Sequence, residues 1–462
     1  MTDIDALRAS LGGKVSAAGD PGWDIARQAF NLGLDQRPAL VAVPADANDV
    51  ARVVRFASQR GLRVAAQATG HGASPLGDLG GTILLKTSAM TGVQIDAGPR
   101  RARVAGGARW QDVVPGASEL GLAALHGSSG TVGVAGYSLG GGISWYVRKL
   151  GLQANSVTAV ELVTADGKLV RADHEREPEL FWALRGGGGN FGVVTALEFA
   201  LYPVDEVYAG ALFFPFERAA EVLHAWREWT ASAPEELTSV GRLLQFPPAE
   251  LIPEPFRGGS FAVVEAVYLG THAAGSQLLG PLRRLGPQLD TFAVVPPAAV
   301  LALHMDPPDP VPYVGGDAML GDLPPAAIDE LVAVAGPGSG SPLLSVELRH
   351  LGGAAARPQP GSGALPALDG SVAIYSVGVA PDLQSGAASA GQLAKISEAL
   401  APYRGGHRYY NIVETPVDPS AFFDRQSLDR LRLVKAEYDP GNLFRASHEI
   451  GPRPGSDSGQ QT

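Results

Sequence analysis

Cysteine is absent from the 462 residues of this chain. Its absence excludes disulfide bonds, thiolate metal sites, iron–sulfur clusters and cysteine nucleophiles. The chain also has no apolar run near the roughly 18 residues that a transmembrane helix needs. Residues 1–13 carry Asp3 and Asp5 and contain no long apolar segment of the kind found in signal peptides. We therefore expect a cytoplasmic protein with no membrane partner.

Positive charge is also in short supply. Lys and Arg number 36 against 47 Asp and Glu, which gives a net charge of −11. An acidic chain repels phosphate backbones, so nucleic acid is not expected as a partner. Apolar residues make up 45% of the chain and charged residues 18%, which is typical of a folded globular protein. The length predicts two or three lobes, and the composition leaves both a monomer and a homodimer open.

Glycine and proline are abundant, at 59 and 36 residues, and they divide the sequence into short elements. Apolar alternation predicts one hairpin around Gly98 and a second around residues 165–167, where Asp-Gly forms the turn. Apolar residues at helical spacing predict a helix that Asp46 caps and that runs through Ser58. Another amphipathic helix is expected over residues 429–438.

The stretch from about residue 204 to 404 has a different pattern, in which apolar strands alternate with amphipathic helices. This alternation predicts an α+β layer with one sheet and helices on one face. Representative strands are expected at residues 209–214, 261–268, 343–348 and 371–379, and helices at 218–229, 274–285 and 326–335.

A loop of small residues follows the strand predicted at residues 63–66. Its sequence is QATGHG over residues 67–72. Backbone N–H groups that no side chain shields can hold a diphosphate, and His71 in the middle can reach a ligand. A loop histidine taken alone is more often structural or solvated, so this motif by itself is a weak signal.

A second glycine-rich run, HGSSGTVGVAG, covers residues 126–136. Its small residues allow the backbone to approach a flat ligand closely, and Ser128 offers a hydroxyl group. A turn-rich corner of a barrel needs the same composition, so this motif alone leaves both interpretations open.

Two other motifs argue against common alternatives. Residues 186–189 are four glycines, but they lack the preceding parallel strand, the following helix and the acidic residue of a nicotinamide-binding motif. The sequence GYSLG has the form of a hydrolase nucleophile elbow around Ser138, but glycine interrupts the segment 132–135 that would be its strand. No Walker A motif occurs, and no metal site is predicted.

The order of the motifs resembles the FAD-linked oxidases of the vanillyl-alcohol oxidase superfamily. Four glycine-rich motifs follow one another: TGHG at 69–72, HGxxxxVGxxG at 126–136, LGGG at 139–142 and LFWALRGGGGNFGVV at 180–194. YYN at 409–411 and KxxYDPxNLF at 435–444 resemble the berberine bridge enzyme-like branch, in its bacterial 6-hydroxynicotine oxidase-like group. The resemblance spans roughly residues 36–205 and 400–450, and the middle region matches only in general layout.

This resemblance implies an α+β fold. Residues 1–205 would form a two-subdomain FAD-binding lobe of the PCMH type. Residues 206–404 would form an α+β substrate lobe with one antiparallel sheet covered by helices. A berberine bridge enzyme-like segment at 405–454 would return to the FAD lobe, and a disordered tail would follow at 455–462.

The resemblance also implies FAD as the cofactor, joined through its 8α-methyl group to His71. Many relatives add a second bond from a cysteine, but that position is Ser129 here, so we expect attachment through His71 alone. The loop would hold the diphosphate, the second motif the flavin ring, and the remaining residues the adenine and the C-terminal side. The expected FAD-binding residues are His71, Gln67, Ala68, Thr69, Gly70, Gly72, Gly127, Ser128, Val132, Gly133, Gly136, Val194, Asn411 and Asn442.

Catalysis would need a hydride acceptor, which is the flavin, and a base. The resemblance implies Tyr409 as the base, with Tyr410 as the competing choice. A packed aromatic side chain with a satisfied hydroxyl is the alternative interpretation of Tyr409. Glu347 and Arg349 alternate onto one face of a predicted strand, so they could face the flavin or pair at the surface.

We predict an FAD-dependent oxidoreductase that oxidises a small alcohol, sugar, amine or natural-product intermediate by hydride transfer to flavin N5. The small side chain of Val132 beside the flavin would leave a path for O2, which predicts an oxidase that yields hydrogen peroxide. An oxidative cyclase or dehydrogenase of secondary metabolism is the first alternative. A flavin-binding protein without turnover is the second.

Overall fold

The computed structural model describes residues 3–250, 252 and 254–451. The first subdomain is a small sheet covered by a helix. Its elements are α1 (Asp3–Ser10), β1 (Lys14–Ser16), α2 (Trp23–Ala26), β2 (Leu40–Val43), α3 (Ala47–Gln59), β3 (Arg63–Gln67) and β4 (Thr82–Lys86). The strand order is β1-β2-β4-β3, with β2, β4 and β3 parallel. Val50, Val53 and Val54 of α3 pack on this sheet, and Asp46 accepts a hydrogen bond from Asp49 N, which confirms the predicted capped helix.

The second subdomain contains an antiparallel sheet of five strands. Its elements are β5 (Val93–Asp96), β6 (Arg101–Ala105), α4 (Trp110–Ser118), β7 (Leu122–Ala123), α5 (Val134–Leu139), α6 (Val147–Leu150), α7 (Gln153–Ser156), β8 (Val157–Val163), β9 (Leu169–Ala172), α8 (Pro178–Leu184) and β10 (Val193–Ala200). The order is β5-β6-β10-β8-β9. Strands β5 and β6, and β8 and β9, pair antiparallel, which confirms both predicted hairpins. Trp110 and Phe199 are buried in the core.

The third unit is an eight-stranded antiparallel sheet with helices on one face. Its elements are β11 (Tyr202–Pro203), β12 (Val207–Pro215), α9 (Ala219–Ala231), β13 (Leu237–Gln245), β14 (Ser260–Tyr268), α10 (His272–Leu278), α11 (Gly280–Arg283), β15 (Leu289–Asp290), β16 (Ala293–Val295), β17 (Tyr313–Leu320), α12 (Pro325–Ala335), β18 (Ser345–His350), β19 (Val372–Val379) and α13 (Leu383–Ala399). The order is β15-β12-β14-β13-β18-β19-β17, β16 pairs with β12, and β11 pairs with β7 outside this sheet. The predicted single sheet is confirmed.

Alternation divides the side chains of this sheet between two different environments. Leu243 and Leu348 point to the helices, where they share a core with Trp226 of α9 and Ile328 of α12. Neighbouring residues on the same strands point to the helix-free face. Trp145 of the second subdomain packs on that face beside Val240, so the face lies against the first lobe.

The C-terminal segment contacts residues of both subdomains described first. Helix α14 (Arg425–Tyr438) begins four residues before the predicted start at residue 429, because Asp424 caps it by accepting a hydrogen bond from Ser427 N. Lys435 Nζ donates to Asn190 O at 2.8 Å. The domain boundaries at residues 205 and 404 stay predictions, and the predicted tail at 455–462 lies outside the described residues.

Candidate active site

The loop after β3 holds His71 in a defined position. Gly70 has φ +87°, and a Cβ there would lie 2.6 Å from Gln67 Nε2 and 2.8 Å from Ala29 Cα, so glycine is required. The His71 ring stacks on Phe30 with 3.8 Å between ring centroids. Its Nδ1 lies 2.8 Å from Thr69 Oγ1. Burial lowers the pKa of His71 to about 4, so the imidazole is neutral at pH 7 and keeps one nitrogen lone pair.

The second glycine-rich run lies directly beside this loop. Thr131 Oγ1 is 3.4 Å from His71 Nε2, and Ser129 Oγ is 2.8 Å from Thr131 Oγ1. A Cβ on Gly133 would lie 2.9 Å from Ala68 Cβ, which explains the glycine. The two motifs that the sequence separates by more than fifty residues therefore form one site around the imidazole.

The C-terminal segment brings Tyr409 to the LGGG motif. The Tyr409 phenolic oxygen accepts hydrogen bonds from Gly142 N at 2.9 Å, Ile143 N at 3.0 Å and Asn411 Nδ2 at 3.0 Å. Burial raises the pKa of Tyr409 to about 12, while these three donors and the charge of Arg349 act in the opposite direction. The Asn411 amide also donates to Tyr137 O at 2.9 Å, which fixes its orientation.

Tyr410 points in another direction. Its ring packs on Phe422 and His448, with centroid distances of 5.1 and 4.7 Å. Its hydroxyl lies 3.5 Å from His448 O, and the ring belongs to the core of the second subdomain. These contacts match those of a packed aromatic side chain with a satisfied hydroxyl.

The other residues predicted from the sequence to bind FAD differ in their surroundings. Gly127 lies against Tyr137, because a Cβ there would be 3.0 Å from Tyr137 Cε2. Asn442 follows α14 and has a buried side-chain oxygen. Val194 is buried in β10, within the core of the second subdomain. Ser128 and Val132 are half-buried, and Gly136 and Gly72 are exposed.

Several buried polar atoms near these motifs have no hydrogen-bond partner within the described residues. Such atoms are nearly always paired in native proteins, so they indicate a missing polar ligand. They are Gln67 Oε1 and Nε2, His126 Nε2, Tyr137 Oη, Gln153 Oε1 and Nε2, and Asn442 Oδ1. Together with the side-chain-free space over the glycines, they fit FAD, which offers a diphosphate and a polar, flat ring system. The sequence did not single out Tyr137 or Gln153, because neither carries a motif of its own.

A chain of buried charges lies on the helix-free face of the large sheet. His304 Nδ1 lies 2.5 Å from Glu265 Oε2, and His304 Nε2 lies 3.0 Å from Glu347 Oε1. Arg242 pairs with Glu265 at 3.3 Å, and Arg349 pairs with Glu347 at 2.7 Å. Glu347 is 2% exposed. Glu347 and Arg349 of β18 therefore face inward and do not form a pair at the surface.

His350 lies on the opposite face of β18. It contacts Arg148 and the ring of Trp226. Burial, with a contribution from Arg148, lowers its pKa to about 3. It therefore stands apart from the ionic chain.

The structure also bears on the motifs that argued against other enzyme classes. Ser138 is 1% exposed and lies inside α5, so it does not occupy a strand-to-helix elbow. The four glycines lead into β10, and Gly186 N and Gly188 N donate to Leu139 O. No group of three or more metal-ligating side chains is found among the described residues. Within the same residues, no helix combines the length and apolarity needed to cross a membrane.

The fold and this site define a flavin-dependent oxidoreductase. Residues 38–173 match the family described as FAD binding domain, and residues 408–451 match the family described as berberine and berberine like. The (R)-6-hydroxynicotine oxidase of Paenarthrobacter nicotinovorans is 30% identical over 98% of this chain and 99% of its own length.

Solved structures agree. The 6-hydroxy-D-nicotine oxidase from Arthrobacter nicotinovorans superposes with a TM-score of 0.80 at 26% identity, covering 96% of this chain and 99% of its own. Glucooligosaccharide oxidase from Acremonium strictum, described with a 6-S-cysteinyl, 8α-N1-histidyl FAD, has the same fold, with a TM-score of 0.80 at 22% identity over 98% of this chain and 100% of its own. The chain belongs to the berberine bridge enzyme-like family of FAD-linked oxidases. It is an FAD-dependent oxidoreductase for a small organic substrate.

Proposed function

We propose that this chain is an oxidase in which FAD is attached through His71 alone and Tyr409 is the base that takes a proton from the substrate. The observation that carries the proposal is the set of three N–H donors, all within 3.0 Å of the Tyr409 oxygen. A neutral hydroxyl offers two lone pairs to donors and keeps its own proton to give away. Three donors stabilise the phenolate, which is the form that acts as a base, although burial raises the pKa of Tyr409 to about 12.

The chemistry divides between cofactor and protein. FAD, when bound, would supply the hydride acceptor and would pass the two electrons from the substrate on to O2. Tyr409 would receive the substrate proton at its phenolic oxygen, since burial excludes water and the three donors stabilise the charge that remains when the tyrosine is deprotonated. Asn411 would keep the phenol in place. Tyr410 is disfavoured as the base because its hydroxyl is directed at His448 O.

Attachment through His71 is supported by the neutral imidazole, which has a free lone pair for bond formation. Ser129 contacts Thr131, and Thr131 contacts the His71 ring. The FAD of one relative carries a 6-S-cysteinyl bond, but this chain has no cysteine. A single bond is therefore proposed here. Contacts to the cofactor would come from the loop at residues 67–72, from the run at residues 126–136, and from Asn411 and Asn442.

The substrate class proposed is an alcohol, sugar, amine or natural-product intermediate. Support comes from relatives whose names specify 6-hydroxynicotine, glucooligosaccharide and xylooligosaccharide as substrates. Val132 is half-buried and precedes Gly133, which lies against Ala68 of the His71 loop; its small side chain would leave a path for O2. The cytoplasmic location and the monomeric or homodimeric state stay predictions.

The test starts from the purified holoprotein. Acid precipitation should leave yellow flavin in the washed pellet, and His71→Ala should release it. 6-Hydroxynicotine and a set of gluco- and xylooligosaccharides should then be screened for bleaching of the flavin under nitrogen. Air should restore the colour and produce hydrogen peroxide. A reduced enzyme that reoxidises no faster in air than under nitrogen would exclude an oxidase, and a protein that never takes up FAD would refute the whole proposal.

A further inference from the structure

Arg349 is the open end of the buried ionic chain on the helix-free face. The chain runs from Arg242 through Glu265, His304 and Glu347 to Arg349. The side chains of the first four are 4% exposed or less, whereas that of Arg349 is 19% exposed. A ligand can therefore reach the chain only at Arg349.

The hydrogen bonds of the chain leave part of the Arg349 guanidinium free. Arg349 Nε and Nη2 both donate to Glu347 Oε2, at 3.0 and 2.7 Å. For Nη1, no hydrogen bond is found in the described part of the chain. The five N–H groups of a guanidinium lie in one plane, so with Nε and Nη2 engaged on Glu347, the N–H groups of Nη1 point away from that carboxylate.

The chain also carries more positive than negative charge. Burial and Arg242 lower the pKa of His304, but Glu265, Glu347 and Asp306 outweigh them and raise it to about 9, so His304 is protonated at pH 7. Three cations then share two carboxylates. Asp306 attracts His304 and Arg349 from farther away, but it forms no ion pair with them among the described residues.

The free end of Arg349 lies on the side of the proposed base. Arg349 pairs across the sheet with Ala373, and Ala373 packs in the same cluster as Tyr409. The charge of Arg349 lowers the pKa of both Tyr409 and Tyr137. Nη1 of Arg349, unlike Nε and Nη2, thus has no acceptor near Tyr409 among the described residues.

We propose that Arg349 is a specificity-determining residue that binds an anionic group, of the carboxylate class, on the substrate. This inference rests on the proposed function, because it places the substrate in front of Tyr409. A planar carboxylate accepts two parallel N–H bonds from a guanidinium. Glu347 and His304 are positioning residues, since they hold Arg349 without reaching the ligand themselves.

The test compares two probes that differ in charge and have similar shape, benzoate and benzamide. Each is titrated into the holoprotein at constant ionic strength, and the visible absorption of the flavin reports binding. Benzoate should bind at least about tenfold more tightly than benzamide, because hydrogen bonds between ions are stronger than neutral ones. Equal affinities in the wild-type protein would overturn the proposal.

Three variants locate the effect. Arg349→Gln should remove the preference for benzoate, and Arg349→Lys, which retains the charge but loses the planar fork, should keep part of it. Arg357→Gln is the matched control, because Arg357 makes a similar two-bond pair with Glu235 at the surface and should leave the preference unchanged. A preference that survives Arg349→Gln would overturn the proposal. If that variant does not fold, a reduced preference in Arg349→Lys supports the proposal and full retention overturns it.

The outcome is separable from that of the proposed function. A protein without flavin would refute the FAD site, and calorimetric titration with the same two probes would still test Arg349. A yellow protein that is bleached by substrate and binds both probes equally would leave the oxidase proposal standing and refute the anion site alone.

Discussion

Asn411 donates its side-chain amide to the phenolic oxygen of Tyr409, two residues earlier in the chain, at 3.0 Å. The same amide is anchored on Tyr137 O, so a residue of the second subdomain orients the proposed base through Asn411. The short helical turn at Tyr410–Ile412 allows this arrangement, because it turns the Asn411 side chain back toward Tyr409 while Tyr410 points into the core.

Replacing Tyr409 with Phe should slow substrate oxidation by about 10²–10⁴-fold, the range that general-base groups contribute. The measurement is the rate of flavin bleaching by substrate under nitrogen. Tyr410→Phe is the matched control and should change this rate by less than about tenfold. Flavin content and thermal unfolding must be compared in parallel, because Tyr409→Phe also leaves three buried N–H donors without an acceptor. A Tyr409→Phe enzyme within tenfold of the wild-type rate would contradict the assignment.

The rate should also depend on pH in a defined direction. Burial raises the pKa of Tyr409 to about 12, so only a small fraction is phenolate at pH 7. At pH values below that pKa, each additional pH unit increases the phenolate fraction about tenfold. We therefore expect kcat/KM to rise between pH 7 and pH 10. The rise should disappear in Tyr409→Phe. A profile that is flat in both proteins would assign the proton to another group.

Gly70→Ala should impair flavin uptake. The new Cβ would force a left-handed conformation on alanine, which costs about 1–2 kcal/mol, and it would lie 2.6 Å from Gln67 Nε2. Gly77→Ala is the control outside the proposed FAD-binding loop, because Gly77 is also left-handed, with φ +59°, but a Cβ there would meet nothing within 4 Å. The readouts are flavin-to-protein absorbance ratio and thermal unfolding. Equal losses in the two variants would show that the backbone at Gly70 does not set the loop geometry.

Lys435→Met should destabilise the protein by about 3–5 kcal/mol, the usual cost of removing one partner from a buried ion pair. Lys435 Nζ lies 2.6 Å from Asp439 Oδ2, and both side chains are fully buried. Arg432→Met removes an ion pair with Asp429 on the same helix that is partly exposed, and it should cost less than about 1 kcal/mol. Urea unfolding measures both. A Lys435→Met protein as stable as the Arg432→Met protein would show that the pair does not anchor the C-terminal segment.

Much of the local structure was predictable because short-range chemistry determines it. Asp46 caps α3 at the position its side chain indicated, and the Asp-Gly turn joins β8 to β9. The start of α14 was predicted too late because the first turn, from Arg425, is polar and gives no apolar periodicity. The Asp424 cap is the signal that would have located it.

The candidate site was predictable as a set of motifs and not as a geometry. The loop at 67–72 and the run at 126–136 each had a plausible structural interpretation, and their contact through Thr131 and His71 depends on how two subdomains pack. The choice between Tyr409 and Tyr410 is of the same kind. Both are tyrosines in nearly the same sequence context, and only their contacts in the folded protein distinguish them.

By itself, the sequence determined what this chain cannot contain and which cofactor its motifs match. No cysteine means no thioether bond to flavin, and the order of the glycine motifs resembles that of FAD-linked oxidases, which implied FAD. Only the tertiary structure decided where the charges lie. Glu347 and Arg349 could have paired at the surface, but His304, which lies on a distant loop, joins Glu347 to Glu265 inside the protein. Burial strengthens the interactions between those charges, because the interior has a low dielectric constant. The sequence pattern does not predict that these side chains are buried together.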